Sequence, residues 1–129
     1  MGQTTMAAMA LNTSEYLPLV GAATAFNATE TFYQEIAASI ATFKNLQVAC
    51  NVAPGGGASG NTRTFIVRDN ASDTACKCSM QGSTTTCSDT SDACTTVVGH
   101  KYDLRVFVSP GATPTATPAA SSCGYGIGP

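Results

Sequence analysis

Fourteen residues from Cys76 to Asp89, CKCSMQGSTTTCSD, hold three of the six cysteines around one tight-turn signal. They constrain the fold more than any other stretch. Gly82-Ser83 reads as a two-residue hairpin loop with Gly at the first central position of a type II′ turn, where positive φ is cheap only for Gly. If Gln81 and Thr84 close that turn, Met80 faces Thr85, Ser79 faces Thr86 and Cys78 faces Cys87, the last as a non-hydrogen-bonded pair. Such pairs hold Cα atoms about 4.5 Å apart, so a twisted Cys78–Cys87 disulfide is sterically feasible. The alternative is two thiols buried on one face. A bridge across so short a loop would lock register more than add stability.

The remaining cysteines, Cys50, Cys76, Cys94 and Cys123, then allow three pairings, and spacing does not choose among them. Six cysteines in a small polar chain point to an oxidising final environment. At 129 residues the chain is long enough for one domain to bury a core without a metal. Only 11% of residues are charged and strong helix formers are few, so composition favours strands and turns. Net charge is -2 with a pI near 5.0, which gives no basic footprint for nucleic acid or an anionic membrane. No apolar run reaches the roughly 18 residues that span a bilayer. The first residues lack the positive region and apolar core of a signal peptide.

Residues 1 to 14 read as a flexible arm preceding a domain of residues 15 to 129. Tyr16 to Gly21 is a short apolar segment that Pro18 confines to an edge or a strand start. Residues 29 to 40, TETFYQEIAASI, mix helical spacing of Phe32, Ile36 and Ile40 with β-forming Thr and Tyr, and are assigned as a strand. In residues 42 to 52, Leu46, Val48, Cys50 and Val52 alternate with polar or small residues. Pro54 to Asn61 reads as a flexible loop. In residues 62 to 68, Phe65 and Val67 point inward while Arg63 and Arg68 lie near the solvated side or the ends. Asp69 to Asp73 is turn chemistry. The best alternation is Tyr102, Leu104, Val106 and Val108. Residues 109 to 118, rich in proline, should run extended over the surface. A last segment with Cys123, Tyr125 and Ile127 on one side could return as an edge strand. Strands at this spacing indicate an all-β antiparallel sandwich or barrel, and a jelly-roll sandwich is favoured.

Four stretches, EYLPLVG (15 to 21), ATFKNLQV (41 to 48), TFIVRDNASDTACKCSMQGSTTTCSDT (64 to 90) and YDLRVFVSPGATPTA (102 to 116), occur in an order that resembles the small jelly-roll proteins of tailed bacteriophages and their environmental relatives. The resemblance implies a TNF-like or C1q-like jelly roll, usually trimeric, displayed on the virion as a head decoration or as the globular part of a fibre. Cys78 and Cys87 fall on that family's paired cysteines. Cys50, Cys76, Cys94 and Cys123 are additional, and SSCGYGIGP replaces the more aromatic, basic final strand of the family.

Catalytic readings find little support. His100 is the single histidine and sits in a turn, and no residue near it in sequence orients it or activates Cys94 as a nucleophile. The C-x-C spacing of Cys76 and Cys78 lacks the C-x₂-C knuckle of zinc sites, and Asp69, Asn70 and Asp73 lack a full calcium pattern. The expectation is therefore a non-enzymatic structural virion protein without metal or cofactor: a capsid decoration protein, made in the host cytoplasm and carried on the virion surface. Its partners would be two further copies in a homotrimer and the major capsid protein. Phe107, projecting from a sheet between Val106 and Val108, is assigned to the oligomer interface. Met1, Met6, Met9 and Leu11, in an arm too small to fold alone, are assigned to capsid anchoring. Alternatives are the receptor-binding head of a phage fibre and a secreted, lectin-like adhesive module. The absence of Trp weakens the last, for want of an aromatic platform to hold a sugar.

Overall fold

The alternating segments form the middle of two facing sheets, because each buries one face and leaves the other to solvent. The computed structural model describes residues 2–6, 9, 11–23, 25, 27–114 and 121–128. Its strands are β1 (Gly2–Met6), β2 (Ser14–Leu17), β3 (Gly21–Ala23), β4 (Glu35–Ile36), β5 (Thr42–Cys50), β6 (Thr62–Asp69), β7 (Ser72–Gln81), β8 (Thr86–Thr95), β9 (Lys101–Ser109) and β10 (Ser121–Gly128). The first sheet runs β3-β1-β10-β5-β8 and the second β2-β9-β6-β7, with β4 on the edge of β9 beyond β2. All pairings are antiparallel except β1 with β3. Between the layers lie Leu46, Val48 and Tyr125 from the first sheet and Phe65, Val67, Leu104, Val106 and Val108 from the second. Of the inward sets expected from sequence, Leu46, Val48 and Cys50 of β5, Phe65 and Val67 of β6, and Tyr102, Leu104, Val106 and Val108 of β9 are buried, while Val52, past the end of β5, is half-buried.

The hairpin expected at Gly82-Ser83 is absent, although its turn is present. Thr84 N–H donates to Gln81 C=O at 3.0 Å and Gly82 has φ of +60°. The flanking strands nevertheless enter different sheets, β7 pairing with β6 and β8 with β5. The chain thus arches across the core. The reason lies in the faces that need burial: Cys76, Cys78 and Met80 on β7 point into the space between the layers, and β8 closes that space from the other side. Two disulfides cross the gap, Cys78–Cys87 and Cys76–Cys94, with Cα separations of 5.6 and 6.0 Å. A ladder with Cys78 opposite Cys87 would set Cys76 against Asp89, leaving Cys94 about 17 Å farther along the strand. The third disulfide, Cys50–Cys123, joins directly opposed residues of β5 and β10. The two-residue hairpin lies instead between β6 and β7, where Asn70 and Ala71 both take positive φ as a type I′ turn requires.

Four further readings are corrected. Gly2–Met6 is not an arm: its backbone pairs with β10 on one side and β3 on the other. Residues 29 to 40 are mostly not a strand; Glu30–Phe32 is a 3-10 turn and only Glu35–Ile36 pairs, since Phe32, Ile36 and Ile40 all stay exposed and no buried face imposes a period. β10 is an interior strand between β1 and β5, not an edge. Arg63 lies inside, 1% exposed, donating to Val52 C=O at 2.9 Å, because its position on β6 shares the inner face with Phe65 and Val67. Of the proline-rich segment, residues 115 to 118 lie outside the described residues.

Pro54 to Asn61 is also fixed in place. Gly55 N–H donates to Gly82 C=O, Gly82 N–H to Asn61 C=O, Asn61 N–H to Gly55 C=O and Thr113 N–H to Ser59 C=O. Backbone touches backbone here, so side chains have no room. A Cβ on Gly82 would stand 1.6 Å from the carbonyl oxygen of Gly57. Gly82→Ala should therefore lower unfolding free energy by at least about 3 kcal/mol in denaturant titration. Unchanged stability would show that the arch does not pack this way.

Candidate docking surface

Large apolar side chains left in solvent gather at the end of the sandwich where β9 begins and β8 ends. Val20, Ile36, Ile40, Val97 and Val98 are between 47% and 72% exposed. They sit on β4 and on three neighbouring loops that are tied together. Thr96 N–H donates to Ala41 C=O and its hydroxyl accepts from Ala41 N–H at 2.8 Å. Ala37 N–H donates to His100 C=O, and Gly99 N–H to Ala37 C=O, both at 2.9 Å. Glu35 Oε2 accepts from Leu19 and Val20 N–H at 3.1 and 3.2 Å, which draws the first loop against the second. A groove of about 260 Å³ opens between them, with Val20, Ile36 and Phe43 among its walls.

Beneath this end a polar cluster holds the 96–100 loop. Asp69 Oδ1 meets His100 Nδ1 at 2.7 Å, Asp69 Oδ2 accepts from the Tyr102 hydroxyl at 3.1 Å, and that hydroxyl accepts from Val97 N–H at 2.9 Å. Burial raises the Tyr102 phenol above its usual range, keeping it neutral as a bridge. His100 thus has an orienting carboxylate that its sequence neighbours did not reveal. Cys94, bonded to Cys76, has no thiol to offer it. The Asp69, Asn70 and Asp73 oxygens face protein donors: Asp69 as above, Asn70 the Lys101 N–H, and Asp73 the guanidinium groups of Arg68 and Arg105. Among the described residues no three His, Cys, Asp or Glu side chains converge on a metal position.

The residues assigned to docking from sequence are dispersed. Phe107 is half-buried on the outer face of the second sheet, with the Arg105 guanidinium 5.0 Å from its ring centre, so the chain itself covers part of the ring. Met9 is 2% exposed in the core and Leu11 packs against that core, which removes both from a free anchor. Met6 ends β1, and Met1 lies outside the described residues. The missed surface had a signal in Val97-Val98 and in the spacing of Ile36 and Ile40, apolar groups in segments without burial periodicity.

No family model, curated protein or solved structure matches this chain.

The loop supporting the apolar end depends on one hydroxyl. Tyr102→Phe should cost about 1 to 3 kcal/mol, since it leaves Val97 N–H without that acceptor, and should raise hydrogen exchange at Val97 while sparing β6 amides. Equal exchange at Val97 in both proteins would refute this role.

Proposed function

We propose that this chain is a structural virion protein, a trimeric capsid decoration protein of a tailed bacteriophage, which binds the major capsid protein through its apolar end. The observation that carries the reading is the exposed apolar set Val20, Ile36, Ile40, Val97 and Val98 on tied loops of a cystine-braced sandwich. Scattered apolar side chains are ordinary on a surface, whereas a set gathered at one end suits a protein contact.

The topology supports the jelly-roll part of the reading. If the short β3 and β4 are set aside and the rest renumbered one to eight, the sheets run 1-8-3-6 and 2-7-4-5, the arrangement of a double-sheet jelly roll. The stretches that resemble the phage proteins fall on β2, on β5, on β6 through β8, and on β9. Three copies would meet through the outer face of the first sheet, where Gln47, Ala49, Thr86, Ser88 and Gly124 line a broad open concavity of small, uncharged groups. Disulfides fit a particle that must last outside the cell. With Met9 and Leu11 built into the fold, anchoring passes to the apolar end.

Ile36→Asp combined with Val98→Asp tests this, because both side chains are exposed and a desolvated, unpaired carboxylate opposes docking. The variant should melt at the wild-type temperature, remain a trimer by light scattering, and bind capsids lacking the protein at least tenfold more weakly. Full occupancy by the variant would exclude this end as the contact, and a monomeric wild type at micromolar concentration would exclude the trimer.

A further inference from the structure

The outer face of the second sheet holds a buried carboxyl beneath a thin cover. We propose that residues 27–36 form a flap whose closure over this face requires a proton on Asp103, so that the flap loosens as pH rises. Asp103 is 0% exposed, and neither of its oxygens has a hydrogen-bond partner of good geometry. Glu30 and Gln34, both on the flap, stand over it, and Arg68 lies opposite it in the β6–β9 ladder.

No residue of the flap is itself buried. The flap is tied at both ends and by few contacts between them: Tyr16 and Asn27 exchange backbone hydrogen bonds, Glu35–Ile36 pair with Tyr102 and Lys101 of β9, Glu35 receives Leu19 and Val20 N–H, Glu30 meets Arg68 Nε at 3.1 Å, and the Tyr33 hydroxyl donates to Ala25 C=O. The charges on this face can be counted. Arg68 pairs with Glu30 and Asp73, and Arg105 pairs with Asp73. Two guanidinium groups thus balance two carboxylates in direct contact, Lys77 and Lys101 lie on the same face with exposed side chains, and Asp103 is the acid with no ion-pair partner there. From β2, Ser14 and Tyr16 share this face, Ser14 bonding Arg105 Nε and Tyr16 lying opposite Arg105, while Glu15 lies opposite Val106, whose side chain points inward. Protonated, Asp103 adds no charge beside Glu30 and can donate to it. Ionised, it sets a second carboxylate against the one that holds the flap down.

Burial, reinforced by Glu30 and opposed by Arg68 and the Gln34 amide, pushes the Asp103 carboxyl up to about 7. The group therefore stays protonated in the folded chain where the unfolded chain has lost its proton. Its favourable contribution is complete below the unfolded value near 3.9, and is lost as pH rises through about 7.

Nuclear magnetic resonance tests the flap directly. The ¹³C shift of the Asp103 carboxyl should titrate near neutrality. Exchange protection at Phe32 and Tyr33 N–H, corrected for intrinsic rates, should fall about tenfold from pH 6 to pH 8. These amides close the 3-10 turn onto Thr29 and Glu30. Asp103→Asn should keep the flap equally protected at both pH values and should exceed wild type in stability at pH 8, the difference shrinking towards pH 4. Should Asp103→Asn fail to fold, Glu30→Gln provides a second test, since it must lower the Asp103 titration midpoint. An Asp103 midpoint near 4, unchanged protection across this range, or a midpoint indifferent to Glu30→Gln would each overturn the proposal.

Discussion

The two cystines between β7 and β8 fix what the turn at Gly82 leaves open. A tight turn of this kind ordinarily returns a strand beside its predecessor, and here it hands the chain to the opposite layer. Cys76–Cys94 and Cys78–Cys87 lie along the same pair of crossing strands, so they set both the separation of the sheets and their relative shift at that edge. Phe65, Val67 and Leu46 then have a gap of defined width to fill. In chain-entropy terms the bridges contribute unequally: about 3 kcal/mol for each cross-layer cystine and about 4 kcal/mol for Cys50–Cys123, whose sequence separation is 73.

Carboxylates serve a similar constraining role where strands leave regular geometry. Asp89 is nearly buried and accepts from Ser91 and Asp92 N–H with one oxygen and from Lys77 N–H with the other. It thus braces a bulge in β8 and ties that strand to β7 across the layers. The hydrogen bond from Asp92 N–H leads in holding its carboxyl below the ordinary range, the reverse of Asp103. Two aspartates in one small sandwich are driven in opposite directions, Asp89 by the backbone donors it meets and Asp103 chiefly by burial.

How much was legible follows from what burial imposes. β9 and the second half of β5 lie against the core, and alternation in their sequences recorded it, whereas β6 places Arg63 on its inner face and Ile66 on its outer one, so its pattern was legible only at Phe65 and Val67. Residues 29 to 40 lie over an outer face with their apolar groups exposed, so their pattern carried no reliable period. The turn at Gln81 to Thr84 was readable down to its positive-φ glycine, yet hairpin and arch share that chemistry. Only the partner strands distinguish them, and partners are long-range facts. The pairing of Cys78 with Cys87 was consistent with either geometry, whereas Cys76–Cys94 is incompatible with the hairpin. The apolar end was illegible for a related reason: three loops distant in sequence build it.

The position of β10 bears on how the chain comes together. In the order of synthesis it follows all nine other strands, yet it lies inside the first sheet, between β1 and β5. Until it arrives, β1 and β5 each present an unpaired edge, and Cys50 has no partner sulfur. The second sheet, built largely from β6, β7 and β9, with only β8 between the last two, is free to assemble earlier. Nascent chains would then expose an open seam in the first sheet, flanked by an unpaired thiol, a state vulnerable to intermolecular strand pairing and mixed disulfides.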